Sequence, residues 1–377
     1  MKWHLALALM GASMVVGSAH GLDFSAAERS AIVSHGPWPP TIAIDASNNR
    51  GASPAAIALG RRLFVDPRLS SSKTVSCANC HDPLRHFQDG RATAIGRAIG
   101  TRNTPSVIDS AGQRWYGWDG ASDSLWAASL RAMMRDDEMG VGAAGVAKLI
   151  RDDRPLRQAY RRAFGKPPDD DDERLMVNLA KAFAAYQATL VSPRTAFDDF
   201  RDALAQNDHA AASRYPEAAQ RGLRLFIGEG RCSLCHAGPR FSNGEFADTG
   251  RPHFVPGEGV DSGRHGGVRS VLGSRFNRLG PYADDAGAGA SATRHVLATH
   301  RNFGEFKVPG LRGLTHTAPY MHDGSLPTLA AVLGHYDKIN EERLHADGER
   351  ILRPLGLSTG QLADLEAFLS SLSAQTP

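Results

Sequence analysis

Two segments of the chain carry the same C-x-x-C-H unit, in which two thiols precede one imidazole. The six residues are Cys77, Cys80 and His81 in the first unit and Cys232, Cys235 and His236 in the second. Thiols at this spacing reach the two vinyl groups on one edge of a haem, and the adjoining imidazole can then bind the iron. The pattern predicts two covalently attached haem c groups.

Two other kinds of site use the same residue types. The four cysteines of these units are all the cysteines of the chain, so two disulfides are an alternative in an exported protein. Sets of Cys and His also bind zinc. Because each pair is followed directly by histidine, and no other cysteines cluster nearby, haem attachment accounts for the spacing better than either alternative.

The residue on the second face of each iron decides whether that haem can react. In the second half Tyr336 lies thirteen residues after Asp323, where a downstream ligand is expected. The matching position in the first half, thirteen residues after Asp119, is Ala132, which has no donor atom. This difference predicts an open first haem and a second haem that Tyr336 closes.

Other side chains could occupy the same positions. Met133 or Met134 could close the first haem, although methionine more often packs in a core. His335 could replace Tyr336, but adjacent helical residues point about 100° apart, so only one of them can face the iron. His86 is too close to the first unit to reach the opposite face and is expected at the surface.

The elements that position these residues repeat in order along the chain. The matching segments are GRRLF (60–64) and GLRLF (222–226), NTPSVI (103–108) and KVPGLR (307–312), and WDGASDSL (118–125) and HDGSLPTL (322–329). The second and third segments are equally spaced in both copies. The order predicts two related haem-binding halves, residues 22–205 and 206–377.

Apolar residues recur at helical spacing through most of the chain, and strand signals are few. The sequence therefore predicts a mainly α fold with two cytochrome c-like haem domains in tandem and few short strands. The stretch 250–293 is rich in Gly and Pro, which predicts a long surface-loop insertion.

Residues 1–21 have the pattern of a signal peptide. Lys2 precedes the apolar run LALALMGASMVV, and small residues follow at Ala19 and Gly21. The run is too short to span a bilayer comfortably, so we expect an exported, periplasmic protein that does not cross the membrane. Loss of Lys2 changes the formal charge from +3 to +2, and this near-balance argues against nucleic acid as a partner.

Longer motifs resemble those of the bacterial di-haem cytochrome c peroxidase superfamily. They are LFVDPRLSSSKTVSCANCH, GTRNTPSVI, WDG, EMG, FKVPGLRGLTHTAPYMHDGSLPTL and HYDK. APYMHDGSL followed by HYD is similar to the MauG branch, where a tyrosine completes the second haem. GEFADTGRPHF, GPYADD and ERLHADGERILRPL resemble the MbnH-type enzymes of methanobactin-associated clusters.

The resemblance implies roles for three side chains near the haems. Tyr336 matches the tyrosine ligand, Trp118 the tryptophan that relays electrons between the haems, and Glu138 the distal glutamate that moves protons. Taken as single residues, Trp118 could equally be a core aromatic and Glu138 a surface carboxylate.

The resemblance also implies a calcium ion between the haems and a contact to a haem propionate. Asn103 and the main-chain carbonyls of Lys307 and Pro309 match the calcium site, and oxygen ligands suit this cation. Arg312 matches a propionate-binding arginine.

The chain departs from the peroxidase pattern at three positions. Arg97 stands where the peroxidases carry a displaceable histidine, which favours a permanently open first haem. Ala128 and Ala132 stand where better-known members have a distal glutamine and proline. The pocket is therefore expected to be roomier, with the proton relay resting more on Glu138, and this argues against fast peroxide turnover.

The resemblance implies an oxidoreductase of the di-haem peroxidase type. It would use hydrogen peroxide to form a high-valent di-haem state and oxidise tryptophan of an exported partner protein, which in the MbnH case binds copper. One alternative is a peroxidase that reduces hydrogen peroxide to water with electrons from a small cytochrome or cupredoxin. The other is a non-enzymatic di-haem electron carrier, whose two haems would ignore peroxide.

Overall fold

The computed structural model describes residues 22–251, 254–255, 259–342, 348 and 351–374, and the predicted signal peptide lies outside them. The helices are α1 Ala26–Val33, α2 Pro54–Phe64, α3 Cys77–Cys80, α4 Leu125–Met134, α5 Ala143–Asp152, α6 Arg154–Phe164, α7 Asp172–Gln187, α8 Ala196–Ala205, α9 His209–Ala212, α10 Glu217–Ile227, α11 Arg264–Gly273, α12 Ser291–His295, α13 Leu329–Asp337 and α14 Thr359–Ser370. No helix in these ranges is both long and apolar enough for a membrane crossing.

Four two-residue strands complete the regular structure of the described ranges. They are β1 Phe246–Ala247, β2 Phe254–Val255, β3 Gly259–Val260 and β4 Phe306–Lys307. β1 pairs antiparallel with β4, with Phe246 opposite Lys307, and β2 pairs antiparallel with β3. The mainly α fold with few short strands, predicted from the sequence, is confirmed.

One pair of crossing helices organises each half. In the first half α2 packs against α7, and in the second half α10 packs against α14. A Cβ on Gly60 would collide with the Ala182 carbonyl, and a Cβ on Gly222 would collide with the Asp364 carbonyl. The repeated glycine of GRRLF and GLRLF therefore allows both crossings to be close.

The hydrophobic cores do not divide at residue 205, the boundary predicted from the repeat. The first core is built from α2 and from α4 to α7. The second core takes residues of α10, α13 and α14, but it also takes Ile32 of α1 and Phe197 and Phe200 of α8. Two helices assigned to the first half by sequence are thus packed into the second half.

The stretch 250–293 is not the surface loop that its glycines predicted. It contains α11, whose Val268 and Val271 are buried, and Tyr282 joins the first core. Lys181 Nζ of α7 lies 2.7 Å from the Tyr282 carbonyl oxygen and 2.6 Å from Asp284 Oδ1. The insertion therefore starts in the second half of the chain and packs on the first.

Polar contacts join the two halves along one seam. The Arg102 guanidinium bridges two buried carboxylates, 2.7 Å from Asp119 and 2.7 Å from Asp261. Nearby, the Asn103 amide donates to the His322 carbonyl at 2.8 Å. These contacts fix the relative position of the two C-x-x-C-H units.

Candidate functional site

Each C-x-x-C-H imidazole is oriented by a main-chain carbonyl a few residues downstream. His81 Nδ1 lies 3.2 Å from the Phe87 carbonyl oxygen, and His236 Nδ1 lies 2.9 Å from that of Phe241. Both phenylalanines have positive φ, 56° and 54°, which turns their carbonyls back toward the unit. With Nδ1–H donating, Nε2 is left as the ligand atom, as in most metal-binding histidines.

A second carbonyl faces each of these rings. The Pro105 carbonyl faces His81 and the Pro309 carbonyl faces His236, while burial lowers the pKa of both imidazoles. A neutral imidazole is the form that binds a metal. The Pro309 carbonyl that is predicted to bind calcium therefore also faces the imidazole of His236.

The residues of both units fit haem c. None of the described cysteines is in a disulfide, and burial raises the pKa of Cys77 to about 12 and those of Cys80 and Cys232 to about 11. Neutral buried thiols beside one available imidazole nitrogen match two thioether bonds and one axial ligand. Within the described ranges, no group of three or more His, Cys, Asp or Glu side chains forms a separate metal site.

A cavity of about 1220 Å³ opens beside the first unit. Its wall includes three kinds of predicted residue: the first unit, the two alanines of α4, and the proposed relay groups. These are Cys77, Cys80, His81, Ala128, Ala132, Trp118 and Glu138. Neither the second unit nor Tyr336 lines this cavity.

The methionines proposed as alternative ligands are placed elsewhere. Met133 is buried in the first core, Met134 is 46% exposed, and neither lines the cavity. The methionine on the cavity wall is Met139, which the sequence analysis did not single out. The alternative that Met133 or Met134 closes the first site is therefore not supported by their positions.

Tyr336 lies on α13 next to the second unit. Burial raises the pKa of its phenol to about 12, with further contributions from the nearby thiols of Cys232 and Cys235. His335 is turned away, because its Nε2 lies 2.9 Å from the Thr249 carbonyl oxygen. Of the two adjacent candidates, only Tyr336 faces the second site.

Ala132 holds the equivalent position on α4. The Ser124 hydroxyl caps α4 and the Thr328 hydroxyl caps α13, each accepting from the amide three residues later. Both helices start at the leucine of the third repeated segment, so Ala132 and Tyr336 are each the eighth residue of their helix. The alanine leaves its side of the first site without a donor atom.

Glu138 borders the cavity in the turn that follows α4. Its Oε1 lies 2.9 Å from Arg135 Nε, yet burial raises the pKa of the carboxyl above its ordinary value of 4.5, partly offset by Arg135 and Arg131. The Arg97 amide donates to the Glu138 carbonyl at 3.0 Å. The loop that contains Arg97 therefore supports the chain turn that carries Glu138.

Trp118 is held by both halves of the chain. Its Nε1–H donates to the Asn103 carbonyl at 2.9 Å, and its own carbonyl accepts from the Lys307 amide at 2.8 Å. The Asn103 side-chain amide donates to the Arg91 carbonyl at 2.8 Å. Two of the three predicted calcium ligands are therefore brought together around Trp118, and the calcium ion itself stays a prediction.

Arg312 reaches the cavity wall but is already paired. Its guanidinium binds Asp198 with both arms, at 2.9 and 2.7 Å, and stacks 3.7 Å from the Trp38 ring centroid. Both members of the ion pair are 2% exposed. These contacts differ from the predicted contact with a haem propionate, because the two terminal nitrogens of the Arg312 guanidinium already bind Asp198.

His86, expected at the surface, is partly exposed and packs on a second histidine. Its ring stacks on that of His316, with centroids 3.8 Å apart and planes 6° apart, and both rings line the cavity. Burial and the His316 charge lower the pKa of His86. The stack is a further contact between the two halves.

Comparisons with known proteins relate the chain to di-haem cytochrome c peroxidases and MauG. A sequence profile of di-haem cytochrome c peroxidase matches residues 54–206, and a profile of RoxA-like, cytochrome c-like proteins matches residues 305–340. Methylamine utilization protein MauG of Methylorubrum extorquens is 34% identical over 325 residues, which cover 86% of this chain and 79% of the relative. Cytochrome-c peroxidase IdrP2 of Pseudomonas sp. is 30% identical over 388 residues, with coverage of 99% and 94%.

A solved structure extends the likeness to three dimensions. The crystal structure of a MauG-like protein associated with microbial copper homeostasis superposes with a TM-score of 0.67 at 26% sequence identity. The match covers 90% of this chain and 95% of that one. The similarity therefore includes both halves and the seam between them.

Proposed function

Because the chain belongs to the di-haem cytochrome c peroxidase and MauG family, and is an oxidoreductase of the peroxidase type, we propose that it is a periplasmic enzyme that uses hydrogen peroxide to oxidise tryptophan of an exported partner protein. The observation that carries the proposal is the inequality of the two sites. The first has Ala132 and a cavity opposite His81, and the second has Tyr336 beside its thiols.

The C-x-x-C-H units would hold one haem each. When bound, the two haem groups supply the redox chemistry, transferring two electrons to hydrogen peroxide and recovering them from the substrate protein. His81 and His236 would bind the irons through Nε2, and the Phe87 and Phe241 carbonyls would keep both rings in that orientation. Tyr336 would contribute an oxygen ligand to the second iron and leave no free face there.

Glu138 would move protons at the first site. Its raised pKa suits a group that accepts a proton from bound peroxide and returns it to the departing oxygen, which leaves as water. Overall the cleavage consumes one peroxide, two protons and two electrons and yields two waters. Ala128 and Ala132 add no proton-transferring group, so this work falls on Glu138.

Trp118 would carry electrons between the two sites. Its ring N–H donates to the Asn103 carbonyl of the first half, and its main-chain carbonyl accepts from the Lys307 amide of the second. A fixed aromatic ring at the seam shortens the path between the two haems without needing any motion. Supporting this role, Trp118 lines the cavity beside the first unit.

The partner is proposed from the solved relative. That relative is described as associated with microbial copper homeostasis, which supports a copper-binding exported protein as the substrate here. The test is to incubate the di-haem protein with hydrogen peroxide and co-encoded exported proteins, and then to weigh each candidate by mass spectrometry. Added oxygen mass that maps to tryptophan is expected, because one water adds to the ring as it gives up the two electrons and two protons that the peroxide consumes. The added mass should disappear when that tryptophan is replaced by phenylalanine.

A second candidate is peroxide removal with electrons from a small cytochrome or cupredoxin. Relatives named cytochrome-c peroxidase favour it. Steady-state turnover with such a donor separates the two functions. Fast turnover together with unmodified partner proteins would overturn the tryptophan proposal in favour of this one.

A further inference from the structure

Five arginines line the cavity beside the first haem unit, and four of them are held by protein groups. The five are Arg114, Arg131, Arg240, Arg278 and Arg312. The partners of the four are Glu245 for Arg114, the Ala111 carbonyl for Arg240, Asp45 for Arg278 and Asp198 for Arg312. Within the part of the chain that the structure describes, no hydrogen bond or ion pair engages the guanidinium of Arg131.

Arg131 stands on the wall that carries the proposed proton relay. It lies on α4 three residues after Ala128 and one before Ala132, and all three line the cavity. Its charge lowers the pKa of Asp119 and opposes the rise in that of Glu138, so the guanidinium lies within electrostatic reach of both carboxylates. The sequence analysis missed Arg131, although helical spacing from Ala128 would have indicated it.

A half-buried guanidinium that makes no hydrogen bond to a protein group is suited to an anion. Arg is permanently charged and presents five N–H donors in a planar fork, and such groups form strong hydrogen bonds with anionic oxygen. We infer that Arg131 is the anion-binding residue of the first haem site, where it holds peroxide in the hydroperoxide form after Glu138 has taken a proton. This inference rests on the proposed function, because it requires an open face at the first haem.

A haem propionate is the other anion that could enter the cavity. Glu138 lines the cavity together with Cys77 and Cys80, the residues of the edge where the haem attaches, and its charge adds to the rise that burial causes in the pKa of both thiols. Propionates project from the porphyrin edge opposite the two vinyl groups. A cation paired electrostatically with Glu138 is therefore better placed for a small ligand on the iron than for a propionate.

Fluoride provides a test that does not depend on turnover. We would titrate the ferric protein, with both haems attached, with fluoride and separately with the neutral ligand imidazole, following absorbance. Arg131→Gln should weaken fluoride binding at least about tenfold, since a hydrogen bond to a charged group is lost. Arg131→Lys should fall between Gln and wild type, and imidazole affinity should be similar in all three.

The matched control is Arg61→Gln, which removes the same charge from an exposed position on α2. It should leave fluoride affinity unchanged. Unchanged fluoride affinity in Arg131→Gln would overturn the inference but not the proposed function. Reduced haem content with normal fluoride affinity would do the same, because that result is expected if Arg131 contacts a propionate. A wild-type protein that binds no fluoride would overturn the open first site, and with it the proposed function.

Discussion

The two halves of the molecule share a pair of helix crossings and differ in the residue that faces each haem unit. Gly60 and Gly222 allow the same helix crossing, and Ser124 and Thr328 cap equivalent helices. The main-chain carbonyls that orient the two histidines both come from a phenylalanine a few residues downstream, Phe87 and Phe241. On the eighth residue of the capped helix, however, the first half has Ala132 where the second has Tyr336.

This difference shows how a duplicated electron-carrier fold can acquire a reactive site. The phenol of Tyr336 lies beside the thiols of the second unit, whereas the methyl group of Ala132 is part of the wall of the cavity beside the first. Nothing in the backbone of α4 or α13 has to change for this. In the proposed function, the chemistry of each half therefore depends on side chains that project from one helix.

The largest expected effect comes from exchanging these side chains. Ala132→Tyr should give the first iron an oxygen ligand and abolish its reaction with peroxide, while Tyr336→Phe should open the second iron. Spin-resonance and absorption spectra of the ferric proteins measure both changes. The wild type should show one high-spin and one low-spin centre, Ala132→Tyr should lose the high-spin signal, and Tyr336→Phe should gain a second one.

Ala132→Phe is the control for bulk, because it fills the space without a donor atom. It should slow peroxide access but keep the first iron high-spin. A Tyr336→Phe spectrum that matches the wild type would contradict the ligand assignment and remove the asymmetry between the halves.

A smaller effect is expected from Glu138→Gln, which keeps the shape of the side chain but removes its basicity. Loss of proton transfer should slow the reaction with peroxide by roughly 10²–10⁴-fold. Stopped-flow absorbance measures this rate. Asp136→Asn is the control, since the Asp136 side chain is 98% exposed and should leave the rate unchanged.

The same carboxyl predicts the direction of a pH effect. Burial raises the pKa of Glu138, and only the deprotonated form can accept a proton from peroxide. The rate should therefore fall as pH drops through a value above the ordinary 4.5 of a glutamate, and this fall should be missing in Glu138→Gln. An identical acid limb in the variant would assign it to another group.

The smallest effect should be on stability, from filling the helix crossings. Gly60→Ala and Gly222→Ala each place a methyl group against a main-chain carbonyl, and overpacking of this kind costs about 1–3 kcal/mol. Denaturant unfolding measures the loss. Gly145→Ala on α5, where a Cβ meets only Val141 at 3.6 Å, should be neutral or stabilising, and an equal loss there would contradict the packing explanation.

The features that depend on local spacing could be predicted from the order of the amino acids. Helical periodicity and the two haem units are each contained in a short window, and the equal spacing of the repeats is enough to align Tyr336 with Ala132. Contacts between distant residues could not be predicted in this way. The pairing of Arg312 with Asp198 joins positions 114 residues apart, and no repeated motif includes the aspartate.

The packing of α1 and α8 into the second core has the same cause. α8 follows the first core in the chain but packs into the second with α1, because its apolar face is complemented only there. Likewise, the glycines of residues 250–293 indicated a loop, although α11 buries Val268 and Val271. Amphipathic periodicity reveals that a face will be buried, but not which partner will bury it.

The docking of α1 into the second core affects how the protein can be assembled and divided. Helix α1 is the first helix of the described chain, yet the helices it packs on, α8 and α10, come only after α2 to α7. A gene cut at residue 205 would therefore yield a carboxy-terminal fragment with exposed apolar side chains. The amino-terminal fragment would carry α1 and α8 without the core on which they pack. Engineers who want a single-haem version would need to graft residues 22–35 and 195–205 onto the carboxy-terminal piece.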